Sequence, residues 1–389
     1  MVIVDLYPFA ETVAQGASEA DIIEKIDIGG ISLIRAAAKN FHDVAIVSSR
    51  DQYAYILDVF AQHGVATTSD IRRRLAREAF AVTSRYDSLI FGYFDETCGD
   101  APTALRTAID GVRTLRYGEN PHQRGWFFGN FESMFEQLHG KEISYNNLLD
   151  IDAATALMAE FDDTAATFAV IKHNNPCGLA CRDTAIEAWR AALAGDPISA
   201  FGGVIVTNST VDADTAAEIN KIFFEVIIAP AYSDEALDIL RLKKNRIILV
   251  QKRDNSTRTT MRSALGGVLV QDRDNRTDSA EDLHTVTATI PTPAQADDML
   301  FAAKVVKHCR SNAIVLAHAR TLCAAGVGQT SRVDSLRQAI AKAKAFGMPL
   351  DGAVMASDAF FPFGDCVQIA HEAGITAIIQ PGGSIRDHE

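Results

Sequence analysis

The chain has 389 residues, 48% hydrophobic and 22% charged, a soluble balance with length for more than one core. A net charge of −13 argues against a nucleic-acid surface, which needs a basic face to displace counterions, yet leaves room for an anionic small substrate in a locally positive pocket. No run suits a membrane helix, and "MVIVDLYPF" does not read as a signal peptide. The six cysteines (98, 177, 181, 309, 323, 366) lack disulfide-framework spacing, which predicts a reducing, cytoplasmic setting.

In chain order, "VIVDL" opens as an interior-like strand with nothing before it, which raises the expectation of a truncated domain. "VAIVSS" (44–49) is a second strand. The polar stretch "DETCGDAPTALRTAIDG" (95–111) then reads as a domain boundary. Buried strands are predicted at "FAVIK" (168–172), "GVIVTN" (203–208), "RIILVQ" (246–251), "GVLVQ" (267–271), "NAIVLA" (312–317) and "TAIIQ" (376–380). Helices are predicted over 183–195 and 292–310, the second with a Thr cap, Pro293 in its first turn and Met299, Leu300, Ala303 and Val306 on one face. "QKRDNSTRTT" (251–260) and "QDRDNRTDSAED" (271–282) read as surface loops. The alternation predicts an α/β protein with buried sheets. "FGGVIV" (201–206) echoes "LGGVLV" (265–270), and "VIKH" (170–173) echoes "VVKH" (305–308). The reversed order permits a duplicated sub-domain without establishing one.

Several segments carry chemistry. "VIKHNNPCGLA" (170–180) ends an apolar run with a cation, an imidazole and two amides, and Pro176 reads as locking a turn; these are parts of a proton-transfer site, although His173 and Lys172 could equally be surface groups. "LRYGENPHQ" (115–123) bends Arg116, Tyr117 and His122 together, and arginine suits a phosphate. "DPISAFGG" (196–203) places two glycines before a strand, where backbone can approach a ligand. "KHCRSNAIV" (307–315) puts Asn312 at a helix-to-strand junction. "GVGQTSR" (326–332) reads as an anion cradle with Arg332, and "SDAFFPFGD" (357–365) sets three Phe between Asp358 and Asp365. "PCGLAC" has one residue too many for a zinc-deaminase Cys pair, and no His-x-Glu occurs, so zinc is not expected.

Taken together, "LRYGENPHQ", "ISYNNLLD", "IKHNNPCG", "DPISAFGG", "EVIIAP", "SNAIV", "GVGQTSRVDS", "SDAFFPF" and "IIQPGGSIRD" resemble the bifunctional AICAR transformylase/IMP cyclohydrolase family of purine biosynthesis. The opening "DLYPF…IDIGG…LIRAAAKN" resembles the closing part of its cyclohydrolase domain. The resemblance implies the C-terminal part of a methylglyoxal-synthase-like α/β domain (1–108) followed by a transformylase domain of cytidine-deaminase-like sub-domains (109–389). It implies transfer of the formyl group of 10-formyltetrahydrofolate to the 5-amino group of AICAR, with Lys172, His173 and Asn312 catalytic. His173 would remove the amine proton, directly or through the carboxamide. Lys172 would steady the formyl oxygen or protonate folate N10, and Asn312 would donate to the oxyanion.

Nucleotide binding would fall to Arg116, Tyr117, His122, Asn147, Gly202, Glu225, Arg332, Phe360 and Asp365, and folate binding to Ser199, Ala200, Phe201 and Gly203. Tyr7, Asp27 and Lys39 match the cyclohydrolase site, whose phosphate loop would precede Met1, so ring closure is expected to be impaired. A homodimer with shared sites is implied, as is a potassium ion, for which the sequence carries no separate signal. Gly364 stands where many relatives carry Arg, and the family's terminal segment would follow Glu389. The rival readings are a zinc-type deaminase and a non-catalytic nucleotide-binding fragment.

Overall fold

The computed structural model describes residues 1–99, 101–161, 164–252 and 257–388, divided into two compact units, Met1–Gly111 and Val112–Glu389. In the first, β1 (Val2–Ile3) pairs in parallel with β2 (Ile46–Val47). Helices α1 (Phe9–Ala14), α2 (Glu19–Ile23), α3 (Gly29–Lys39), α4 (Tyr53–His63) and α5 (Ser69–Cys98) surround this pair. Both strands are shorter than their apolar runs suggest, because each finds one pairing partner. Thr68 caps α5 through the Ile71 amide, and the helix runs through residues 95–98 of the expected boundary before ending at Gly99, φ +68°, where a left-handed C-terminal residue favours glycine. Asp100 lies outside the described residues. Ile34, Ile46, Val47, Leu75 and Ala79 form the core of this unit.

The second unit begins with a hairpin, β3 (Val112–Leu115) and β4 (Gly125–Phe128), followed by β5 (Phe135–His139) and α6 (Tyr145–Met158). Next come β6 (Ala166–Lys172), β7 (Asn175–Arg182), α7 (Ala185–Gly195), β8 (Val204–Thr207), α8 (Ala213–Ile219), β9 (Val226–Ala229), α9 (Asp234–Leu240) and β10 (Ile247–Gln251). After the hairpin β11 (Thr259–Ala264) and β12 (Gly267–Asp272), the chain continues as α10 (Pro293–Lys307), β13 (Ile314–His318), β14 (Thr321–Gly326), α11 (Arg332–Ala345), β15 (Val354–Ser357), α12 (Asp365–Glu372) and β16 (Ala377–Ile379). One mixed sheet carries ten strands in the order β16-β15-β13-β14-β7-β6-β8-β9-β10-β5.

Alternate residues of these strands face opposite sides, and both sides are covered. One face forms a core continuous across the sheet, from Ala169 and Ile171 to Val315 and Val354, under α6 and α10. The other holds two separate cores, one centred on Phe168, Trp189 and Ile205, the other on Ile314, Leu336 and Met355. This burial on both faces explains the near-continuous apolar runs. In α10 the buried residues are Asp298, Met299, Phe301, Ala302, Val305 and Val306; Leu300 and Ala303, expected on the buried face, are only partly covered.

The unit contains the same path twice. Helix, hairpin, helix, strand, helix, strand describes both α6-β6-β7-α7-β8-α8-β9 and α10-β13-β14-α11-β15-α12-β16. In each, the third strand runs antiparallel to the first and parallel to the fourth. The copies join where β7 meets β14, at Ala180 and Thr321. The echoes read from sequence are not its equivalents. "LGGVLV" lies in the separate β11–β12 hairpin, whose second strand is exposed throughout rather than buried. "VVKH" ends α10, where Lys307 Nζ and His308 Nε2 meet Glu160 Oε1 at 2.8 and 3.0 Å. Residues 253–256 of the loop expected over 251–260 lie outside the described residues. Among the described residues, no helix is long and apolar enough to cross a membrane.

Glu160 is 8% exposed and Lys307 17%. Burial alone would raise the Glu160 pKa, but the donors His308, Lys307 and Thr277 carry it down from 4.5 to about 2. A depressed carboxylate contributes stability above its unfolded pKa and loses that contribution as pH falls through the folded one. Glu160→Gln should therefore cost roughly 3 kcal/mol at neutral pH, with the gap to the parent closing as pH falls from 4.5 toward about 2. Urea midpoints across that range check it; equal midpoints at pH 7 would overturn it.

Candidate functional site

The "KHNN" segment is a tight hairpin. Lys172 pairs with Asn175 across β6 and β7, leaving His173 (φ +50°) and Asn174 (φ +61°) as the two turn residues. Two consecutive positive φ angles mark the type I′ geometry that matches strand twist, a conformation in which Asn and His are enriched among non-glycine residues. Asp150 Oδ1 accepts from the Asn174 amide at 2.7 Å, and Asn174 Nδ2 donates to Leu149 O at 3.3 Å. Asn175 Nδ2 donates to His173 O at 2.8 Å. Pro176, expected to lock the turn, lies instead within β7 opposite Ile171. His173 is exposed at the tip, and half-buried Lys172 donates through Nζ to Phe201 O. Burial raises the Asp150 pKa even though the Asn174 amide and the positive charges of His173 and Lys172 favour its ionised form.

The glycine loop meets this hairpin from the side. Asp196 is buried, pairs with Lys342 Nζ at 2.5 Å and accepts from the Ser199 amide at 2.8 Å. Burial opposes its ionisation, but these donors hold it below the usual carboxylate range. Ala200 N donates to Asp196 O, Gly202 N to Phe223 O and Gly203 N to Ala200 O. Gly202 has φ +73°, and a Cβ there would stand 3.3 Å from Lys172 Nζ; a Cβ on Gly203 would stand 3.0 Å from Ile171 O. Phe201 and Phe223 pack at 5.2 Å between ring centroids and, with Ile198, are exposed. Glu225 donates its amide to Gly203 O at 3.0 Å and binds Lys141 Nζ at 2.5 Å. Sequence reasoning missed Lys141, because nothing local ties it to a residue so far along the chain.

The second copy contributes Asn312. Its Oδ1 accepts from Arg332 Nη2 at 3.1 Å and its Nδ2 donates to Gln329 O at 3.0 Å. Arg332 Nη1 pairs with Asp358 Oδ1, while Ser311 Oγ donates to Asp358 Oδ2 and the Ala313 amide to Oδ1. Burial opposes ionisation of Asp358, but Ser311, Ala313 and Arg332 hold its pKa down. The arginine read as an anion cradle thus has both terminal nitrogens engaged inside the protein, where it orients the Asn312 amide. Arg310 N donates to Asn175 Oδ1 at 3.3 Å, tying this segment to the His173 hairpin.

The start of α6 joins the remaining cluster. Ser144 and Asn147 form a reciprocal capping box, so buried Asn147, expected at the nucleotide, first serves the helix. Asn146 Nδ2 donates to Glu119 O at 3.2 Å, holding the 116–124 loop. There Arg116 lies 5.4 Å over the Tyr117 ring and His122 is exposed. Of the three Phe after β15, Phe361 is core whereas Phe360 and Phe363 are exposed. Asp365 Oδ1 accepts from the Cys366 amide at the start of α12. Among the described residues, no hydrogen bond, ion pair or ring contact joins Phe360, Asp365 or His122 to Lys172, His173 or Asn312. Cys177, beside the bulge in the β6–β7 pairing, and Cys181 pack on opposite faces of the sheet, an arrangement unsuited to joint metal ligation.

In the first unit, Asp27 is buried and accepts from the Gly30 amide at 2.6 Å, and Lys25 Nζ lies 5.9 Å over the exposed Tyr7 ring. Lys39 is at the far end of α3, about 15 Å along the helix from Gly29 at 1.5 Å per residue. It lines a groove of about 530 Å³ with Arg35, Arg73, Phe41 and Phe80. Asp27 therefore precedes one end of α3 and Lys39 closes the other.

A duplicated α/β unit with a Lys-His turn, a glycine loop and an Arg-oriented Asn is the framework of an enzyme acting on a small polar substrate. The family model described as AICARFT/IMPCHase bienzyme matches residues 37–342. The "Bifunctional purine biosynthesis protein PurH" of Bacteroides thetaiotaomicron is 62% identical over 387 residues, covering 100% of this chain and 75% of its own length. The proteins of the same name from Chlorobium phaeobacteroides and Rhodospirillum rubrum are 45% and 48% identical, each covering 100% of this chain and 77% of its own length. The chain belongs to the AICARFT/IMPCHase bienzyme family.

Gly202→Ala should cost about 1 kcal/mol through its positive φ and displace Lys172 Nζ from Phe201 O. A denaturation midpoint and a crystal structure of the variant check both effects. An unmoved Lys172 would remove the steric part of the account.

Proposed function

We propose that the chain is a phosphoribosylaminoimidazolecarboxamide formyltransferase of de novo purine biosynthesis, with IMP cyclohydrolase as the second activity of its family. It moves the formyl group of 10-formyltetrahydrofolate to the 5-amino group of AICAR, giving formyl-AICAR and tetrahydrofolate. The carrying observation is the family match over 37–342 together with 62% identity to a bifunctional purine biosynthesis protein over the whole chain.

The amine nitrogen attacks the formyl carbon, and an oxyanion forms as the carbonyl π bond breaks. His173, an imidazole on an exposed tip, takes the amine proton, and proton transfers of this sort supply roughly 10²–10⁴ in rate. Lys172 steadies the oxygen or protonates N10 as the C–N10 bond breaks. Asn312 Nδ2 gives one hydrogen to Gln329 O; an amide carries two, so one remains for the oxyanion. Arg332 fixes which way that amide points. Arg116 and Tyr117 receive the nucleotide phosphate, with His122, Asn147, Gly202, Glu225, Phe360 and Asp365 toward the rest of the nucleotide. The Ser199–Gly203 loop takes the folate.

The transformylase unit is a pair of cytidine-deaminase-like sub-domains, a reading supported by its repeated path. The first unit is the closing part of the cyclohydrolase domain. A homodimer is supported by the exposed β12, which leaves Val268 and Val270 uncovered on one face and Leu269 on the other. A cytoplasmic setting is supported by six free cysteines.

Replacing His173 with Ala should lower kcat for formyl transfer by about 10²–10⁴ while AICAR binding holds, measured by tetrahydrofolate absorbance and calorimetry. Equal kcat would remove His173 as the base. Arg116→Ala should weaken AICAR binding far more than binding of the unphosphorylated nucleoside, because its guanidinium reads the phosphate. Equal losses for the two ligands would argue against that role.

A further inference from the structure

We propose that Asp150 is a positioning residue of the transfer site, holding the His173–Asn174 turn in the one conformation that aims the imidazole at the bound nucleotide. The inference rests on the transformylase reading above and concerns a residue outside the catalytic and binding set named there.

The duplicated half supplies the comparison. Asp150 lies six residues after the α6 cap Ser144, and Asp298 six after the α10 cap Thr292; both helices begin with a reciprocal capping box. The hairpin following α10 also turns through two non-glycine residues of positive φ, Ala319 (+49°) and Arg320 (+48°). Asp298 accepts from both turn amides, Ala319 N at 2.7 Å and Arg320 N at 2.6 Å. An aspartate beneath a left-handed pair is therefore a built feature of this fold, used twice.

The two uses differ in one bond. At the site copy, Oδ1 of Asp150 holds the Asn174 amide, while Oδ2 takes no hydrogen bond among the described residues. The structural copy, with Ala and Arg at its tip, has both carboxylate oxygens occupied. The site copy, with an imidazole at its tip, is held by fewer bonds and closes on a side chain that must be aimed. Left-handed conformations are disfavoured for non-glycine residues, so without the carboxylate His173 and Asn174 relax and the imidazole loses its direction. The Asp150 carboxylate is also within electrostatic reach of Lys172 and His173, so it faces the site rather than solvent alone.

The test compares Asp150→Ala, Asp150→Asn and Asp298→Ala in the full chain, reading kcat, the KM for AICAR, melting temperature and amide exchange over residues 172–176. D150A should lower kcat roughly 10- to 100-fold, the scale of a small misplacement of a reacting group, with KM changed little and faster exchange at the turn. D150N keeps an acceptor for the Asn174 amide and should recover most of the rate. D298A should lower the melting temperature without lowering kcat. Asn174→Gly in the D150A background lets glycine take the positive φ unaided; it should restore folding where D150A alone does not fold, and restore rate. Parental kcat in D150A, a D150N as slow as D150A, or an equal loss of kcat in D298A would each overturn the proposal. A parent chain that transfers no formyl group would instead overturn the functional reading, and this inference with it.

Discussion

The register between β6 and β7 is the constraint on which the site depends. Pairing Lys172 with Asn175 leaves two residues to reverse the chain; a slip by one residue would exchange the faces of the strand and drive Phe168 and Val170 into the core that holds Ala169 and Ile171. Glycine protects the arrangement at one point, since a Cβ on Gly178 would fall 2.2 Å from Ala192 O in α7. Lys172, His173 and Asn175 inherit their directions from this packing. Through Asn175 and Arg310 the same register sets where the Asn312 segment stands.

The duplication shows how one scaffold yields a structural half and a chemical half at each position. After β8, Asn208 accepts from the Thr167 amide and donates to Ala165 O, bracing the start of β6. After β15 the corresponding residue is Asp358, which accepts from the Ala313 amide beside β13 but also gathers Ser311 and Arg332. A neutral amide that closes a strand end in one copy is a carboxylate in the other, and its charge is what holds Arg332 against Asn312. The turns differ in the opposite sense, with an imidazole at the tip of the first copy and only Ala319 and Arg320 at the tip of the second. The candidate site thus takes its imidazole from one half and its oriented amide from the other.

Much of this was legible in the sequence where local chemistry dictated it. The buried strands around residues 168, 204, 247, 314 and 377 are apolar because both faces are covered, and the Thr292–Pro293 start of α10 follows from capping alone. β7 was not legible: "NPCGLACR" contains Pro, Gly and a bulge, yet forms a central strand because α7 and β14 complete its surroundings. Nor could "GVLVQ" be recognised as exposed, since an apolar run carries no mark of whether a neighbour is present. The sequence permitted a duplicated sub-domain but pointed to the wrong segments, because the two halves share geometry, an aspartate six residues past a cap and a left-handed pair, rather than a run of matching letters. The short strands of the first unit fall under the same limit, because strand length depends on partners that a local run cannot reveal.

At −13 the protein as a whole repels anions, and three of its carboxylates are each matched by a cation: Asp196 by Lys342, Glu225 by Lys141, Asp358 by Arg332. Among the described residues, Arg116 and Lys172 have no carboxylate partner in these networks; one stacks on Tyr117 and the other donates only to a carbonyl. Lys172 is half-buried, and a carbonyl acceptor leaves its charge without an ion-pair partner at hydrogen-bond distance. The matched carboxylates are also withdrawn from competition with an anionic ligand, because each is already neutralised by a neighbour at hydrogen-bond distance. An acidic protein can in this way present a positive surface of a few residues without changing its net charge.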